Sequence, residues 1–91
     1  MNEVITLIKG DTSREVFCRV QSIGQSEFYE ASARDFYPEV KFVLADYLDY
    51  DNEQLVEYNG QRYSVLRTYR AGQELELTVQ RASAEEGGIY E

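Results

Sequence analysis

The sequence predicts a mainly β protein: a small antiparallel β-barrel or compact sandwich of about six strands, with one short helix between the second and third. Three observations carry this. Two β-prone runs, residues 55–58 and 61–66, flank Asn59-Gly60, the dipeptide that most readily enters the left-handed conformation a tight hairpin needs. Period-two alternation of apolar and polar residues recurs along the chain, and turn signals separate the alternating runs at close spacing. At 91 residues there is room for one modest core, and 43% hydrophobic residues with eight Tyr and four Phe are too many large apolar groups for a chain that stays unfolded.

Residues 3–9 are apolar and β-branched enough for a first strand, ended by the turn residues Gly10-Asp11-Thr12-Ser13. A second strand is expected over residues 14–23, with Val16, Cys18 and Val20 on the inner face and Phe17 an apolar exception among the outward residues. Gly24 breaks the alternation. Residues 25–34 then read as a helix, with Ser26 as N-cap, Glu27 and Glu30 near the positive end of its dipole and Arg34 near the negative end. Pro38 disfavours helix at Tyr37 and closes the excursion.

A third strand comes next over residues 39–47, where Val40, Phe42 and Leu44 alternate with Lys41, Val43 and Ala45, a second set apolar enough to imply partial cover on both faces. Residues 49–52 supply a turn, and the Asn59-Gly60 hairpin carries the chain to about Tyr69. With two loop residues its register puts Tyr58 opposite Gln61, Glu57 opposite Arg62 and Val56 opposite Tyr63. After a turn at Ala71-Gly72-Gln73, residues 74–80 alternate cleanly, with Leu75, Leu77 and Val79 inward. Residues 1–81 thus make one domain, and residues 82–91, which lose the pattern and contain Gly87-Gly88, read as a flexible tail.

The chemistry offered by these residues is sparse. Histidine is absent from the sequence, which removes the commonest general base and transition-metal ligand, and Cys18 stands alone inside an apolar run, as a buried thiol would. No cofactor or metal is expected. Asp49, Asp51 and Glu53 have the first spacings of a calcium loop, but Gln54 and Gly60 stand where the turn glycine and the bidentate glutamate belong. Asp46 with Asp49, or Glu74 with Glu76, are carboxylate pairs of the kind that cleave glycosides, yet seventeen acidic residues make such pairs unavoidable. An enzyme is not expected.

The formal net charge of −8 opposes attraction to phosphate backbones or anionic membranes. No apolar run approaches the roughly 18 residues that span a bilayer, and the reading is of a soluble, unsecreted chain. The aromatic surplus carries more information. Tyrosines in the sheet half are ordinary strand residues, but Phe28, Tyr29, Phe36 and Tyr37 lie in the helical excursion, where they serve either core packing or a partner contact.

Taken together, Val16-Phe17-Cys18-Arg19-Val20, Ser22-Ile23-Gly24-Gln25-Ser26-Glu27-Phe28-Tyr29, Pro38-Glu39-Val40-Lys41-Phe42, Asp46-Tyr47-Leu48-Asp49-Tyr50, Tyr58-Asn59-Gly60, Tyr63-Ser64-Val65-Leu66-Arg67-Thr68-Tyr69 and Glu74-Leu75-Glu76-Leu77-Thr78 resemble the phage head-closure family. Its members are also described as head-tail joining, adaptor or stopper proteins, here of the kind found in tailed phages and prophages of Gram-positive bacteria. The resemblance spans roughly residues 4–81 and lies in the order of strands and turns; the first turn is shorter than in family members with a longer first loop.

The resemblance implies a structural virion protein of the neck, made in the host cytoplasm, that forms a ring with copies of itself below the portal or adaptor. It would close the DNA-filled head and offer a docking surface to a tail-terminator or tail-completion protein, while DNA passes without sequence-specific binding. It also implies that residues 24–38 face the channel or a partner, with Gln25, Phe28, Tyr29, Arg34, Phe36 and Tyr37 as the candidate contact residues. Two competing expectations are a bacterial β-barrel module that binds protein or oligonucleotide, the latter disfavoured by the lack of a basic stripe, and an enzyme built on converging surface carboxylates.

Overall fold

The computed structural model describes residues 3–34 and 36–82. Six strands close into an antiparallel barrel in the order β1-β2-β3-β6-β5-β4, with β4 returning to pair with β1. The strands are β1 (Glu3–Lys9), β2 (Thr12–Gln21), β3 (Val40–Leu44), β4 (Leu55–Tyr58), β5 (Gln61–Ala71) and β6 (Glu74–Arg81). The helix α1 (Gln25–Ser32) lies between β2 and β3, and a short 3₁₀ turn (Tyr47–Asp49) lies between β3 and β4. Closure matters physically because a barrel leaves no strand edge with unpaired backbone groups.

The Asn59-Gly60 hairpin has the register its sequence predicts: Tyr58 opposite Gln61, Glu57 opposite Arg62 and Val56 opposite Tyr63. Asn59 at φ 52° and Gly60 at φ 80° both occupy the left-handed region, as a type I′ turn demands. Val56 and Tyr63 are buried in the barrel, so one hairpin face feeds the core. Inside, Ile5, Leu7, Cys18, Phe42, Leu44, Leu75, Leu77 and Val79 complete the packing. The Phe42 ring meets those of Tyr58 and Tyr63 edge to face, with centroids 5.3 Å and 5.8 Å apart.

Several boundaries differ from the sequence expectation. β2 begins at Thr12 and ends at Gln21, because a two-residue turn at Gly10-Asp11 suffices to pair Lys9 with Thr12. β3 stops at Leu44, where the chain leaves the ladder for the 3₁₀ turn, whose Leu48 N–H donates to the Asp46 carboxylate. Ser26 is not the N-cap: α1 runs from Gln25 to Ser32, with Gly24, two residues earlier, in the cap position and no side-chain cap bond. Arg34 lies beyond the last helical turn, past the C-cap Ala33, so it is not placed on the helix's final carbonyls as expected. β5 runs to Ala71 and carries a bulge between Val65 and Arg67 that reverses its inside-outside phase. The phase change puts Arg70 on the Tyr47 ring, 3.5 Å from its centroid. Apart from Ala82, the tail expected over residues 82–91 lies outside the described residues.

Candidate functional site

The excursion that separates β2 from β3 stands outside the barrel wall, and its helix contributes no buried residue to the core. Its aromatic rings are therefore surface groups: Phe28 is 38% exposed, Tyr29 62%, Phe36 45% and Tyr37 56%. None of the four fills the core. Phe28 and Tyr29 stack edge to face at 6.3 Å on one side of α1. With Gln25, Val20, Ile23 and Val40 they line an open cleft of about 620 Å³ at the mouth of the barrel where β2 ends and β3 begins. Arg34 and Phe36 lie apart from this group, on a smaller pocket of about 180 Å³ between α1 and the outer face of β5 and β6. Tyr37 is fixed through its backbone N–H, which donates to the Gln80 side chain at 2.9 Å. Asn59 and Gly60 form the hairpin turn between β4 and β5.

Ion pairs hold the helix to the barrel. Glu27, in the first turn of α1, lies 2.9 Å from Lys41 on β3 and also pairs with Arg67 on β5, while Lys41 reaches Glu76 on β6 at 3.5 Å. The Glu27 side chain is only 17% exposed, so water screens these contacts poorly. Burial pushes the Glu27 carboxyl up, but the hydrogen bonds from Lys41 and Arg67 outweigh it and leave the group below its ordinary range. The hydrogen bond to Glu27 raises the Lys41 ammonium. Beneath this bridge the outward residues Val43 and Thr78 are buried, which gives the two-sided cover that the β3 sequence suggested. Sequence alone places Glu27 on the helix dipole and misses the bridge; its only local signal is a lysine amid the apolar residues of β3.

At the other end of the barrel Glu53 is 4% exposed and holds the loop before β4. Its carboxylate accepts from Arg14 at 3.1 Å and from the Asp51 N–H at 2.7 Å, and Arg14 also donates to the Asp49 carbonyl. The acids that resembled a calcium loop or a glycosidase pair have similar structural partners. Asp46 accepts from Gln73 as well as Leu48, Glu74 pairs with Arg19 at 2.9 Å, and Glu76 with Lys41. Among the described residues no three metal-ligating side chains gather, and no helix is long and apolar enough to cross a membrane. No family model matches this chain, and the search of curated proteins returns no significant match.

Proposed function

We propose that this chain is a structural protein of a tailed-phage neck, one subunit of a ring that closes the DNA-filled head and receives the tail. The observation that carries this reading is the excursion from residues 24–38: a helix and its return held outside a closed barrel, displaying four aromatic rings that the core does not use. Exposed aromatics clustered around a concave surface are the usual anchors of a protein interface. The sequence resemblance to head-closure proteins supplies the partners: further copies of itself, a portal or adaptor on one side and a tail-completion protein on the other. A net charge of −8 suits a conduit, because acidic walls do not trap a moving polyanion.

Under this reading α1 and its flanks are the contact and channel segment, Phe28 and Tyr29 its anchors. The test is particle assembly in the phage or prophage that encodes the chain. Heads assembled without the protein should lose their DNA and fail to join tails, wild-type chain should restore both, and the F28S/Y29S variant should remain folded yet fail to restore them. Heads that retain DNA and join tails without the protein would overturn the proposal. A neighbourhood of portal, capsid and tail genes separates it from a general protein-interaction module.

A further inference from the structure

The wall closes through β4, yet β4 covers only part of its neighbour. β5 has 11 residues, and β4 pairs with those from Gln61 to Ser64. The Val65 N–H still donates to the Gln54 carbonyl at 3.0 Å, and there the contact on that side ends. From Leu66 to Ala71 the strand runs on beyond the ring of paired residues that closure protects. β6 holds it along one edge as far as Ala71, and among the described residues no backbone group pairs with the other edge. The bulge between Val65 and Arg67 marks the same point, since a bulge bends its strand and ends pairing where it occurs. The overrun has the usual length of a strand, roughly 20 Å over its run from Leu66 to Ala71. Its surroundings are open: the Tyr69 ring is 62% exposed, and Leu48, beside the Tyr47 ring that Arg70 covers, is 69% exposed.

An open strand edge selects its own kind of ligand. Its N–H and C=O groups alternate at the spacing of another strand, so an extended chain satisfies them and a helix does not. Charge then narrows the choice. Leu66-Arg67-Thr68-Tyr69-Arg70-Ala71 contains two arginines and no acid, and charged side chains on an edge deter pairing with a like-charged strand. The same strand of a second copy would bring four guanidinium groups into one short ladder, whereas a strand bearing carboxylates meets both arginines favourably. Glu74 and Glu76 face Ala71 and Tyr69 from β6, across the strand from the open edge, and are held by Arg19 and Lys41. Glu27 meets Arg67 from the helix side through one nitrogen of a group that carries five N–H donors. Arg70 lies over the Tyr47 ring and makes no ion pair among the described residues.

We propose that residues 66–71 of β5 receive an extended acidic segment of another protein as an added strand, with its carboxylates opposite Arg67 and Arg70 and an apolar side chain against Tyr69. Arg67 and Arg70 are three positions apart and so fall on opposite faces of the strand. The partner's two carboxylates must then stand three apart as well, one on each face. Main-chain bonds along the edge supply the affinity, and the two arginines select the sequence. The ladder and its bulge carry this inference, which does not depend on the neck assignment.

The experiment is an NMR titration of the wild-type full chain with a capped hexapeptide of Val, Glu, Val, Thr, Glu and Val in that order, whose glutamates meet both arginines in either strand direction. Saturable displacement of the amide resonances of residues 66–71 is expected, with exchange slowed at alternate amides where the new strand bonds. A peptide with lysine in place of both glutamates should displace them far less. One with proline in place of its two central residues should not displace them at all, because it cannot donate to the ladder. Residues 66–71 unmoved by the glutamate peptide at millimolar concentration would overturn the proposal, as would an equal response to the lysine peptide or displacement confined to the cleft around Phe28 and Tyr29. Shifts at residues 66–71 that grow with the concentration of the protein alone would overturn it too, by giving the edge to a second copy.

Discussion

Cys18 shows how burial sets the chemistry of one group. The thiol is 2% exposed inside the barrel, and burial, with the nearby Glu3 charge, pushes its pKa from 9.0 up to about 11. A thiol is nucleophilic as thiolate, so the native protein should react with a maleimide or disulfide reagent at pH 8 only as fast as it unfolds, whereas chain denatured in urea should react at once. Rapid labelling under native conditions would mean that the β1–β2 wall opens locally. The same shift sets a direction with pH. An acid whose folded pKa lies above its unfolded one stabilises the fold fully below pH 9, and that stability is lost between pH 9 and about 11. Burial raises the Tyr50 and Tyr58 hydroxyls too, so the alkaline melt should steepen in this range. At the opposite pole of local constraint, Gly60→Val forces a β-branched residue to φ 80° and should cost on the order of 1–3 kcal/mol in a urea titration. A neutral result would exclude the type I′ geometry.

On the scale of elements, α1 and the hairpin are held by different forces. The hairpin is built into the core through Val56 and Tyr63, whereas α1 rests on the Glu27 bridge to Lys41 and Arg67. Glu27→Gln should therefore loosen the helix without melting the barrel, raising amide exchange in α1 roughly fivefold, about 1 kcal/mol of local opening, while the strands keep their protection. Acid should act likewise. Glu27 is depressed in the folded state, so its contribution is present above pH 4.5 and lost as pH falls through the lower folded value; Lys41, raised in the folded state, gives its own up only above pH 10.5. Helix exchange that tracks the barrel at every pH would show one cooperative unit instead. The difference also explains what the sequence revealed. A hairpin register follows from two turn residues and a period of two, so residues 55–64 were legible in full. The helix was legible as an interruption between Gly24 and Pro38, but where it lies depends on Lys41 and Arg67, fourteen and forty residues away from Glu27. The β5 bulge was illegible for the same reason, since consecutive Val65 and Leu66 do not tell which of them is the extra residue. The candidate contact residues divide likewise: exposure of Phe28 and Tyr29 emerges only once the barrel is seen to close without them.

For the whole molecule the decisive quantities are barrel closure and charge. Closure pairs Thr6, Leu7 and Ile8 with Glu57, Val56 and Leu55, segments about fifty residues apart, so this seam joins the first strand to the second half of the chain. Leu7 is fully buried there, and Leu7→Ala should cost about 2–5 kcal/mol with loss of the entire barrel signal, whereas F28S/Y29S outside the wall should leave the melt nearly unchanged. Charge governs what the folded barrel does with its copies. Each copy carries −8, so the proposed ring would sum their repulsion at long range, while its proposed contacts through exposed aromatic rings are apolar and short-ranged. Salt shortens the reach of the repulsion to about 8 Å at physiological ionic strength and leaves apolar burial almost untouched. Sedimentation should thus show monomer at low salt and increasing assembly as sodium chloride rises, with F28S/Y29S remaining monomeric throughout. Assembly that dissolves with salt would assign the contact to ion pairs, and assembly retained in the double variant would move it to another face, such as the exposed Val4–Phe17 pair on the β1–β2 wall.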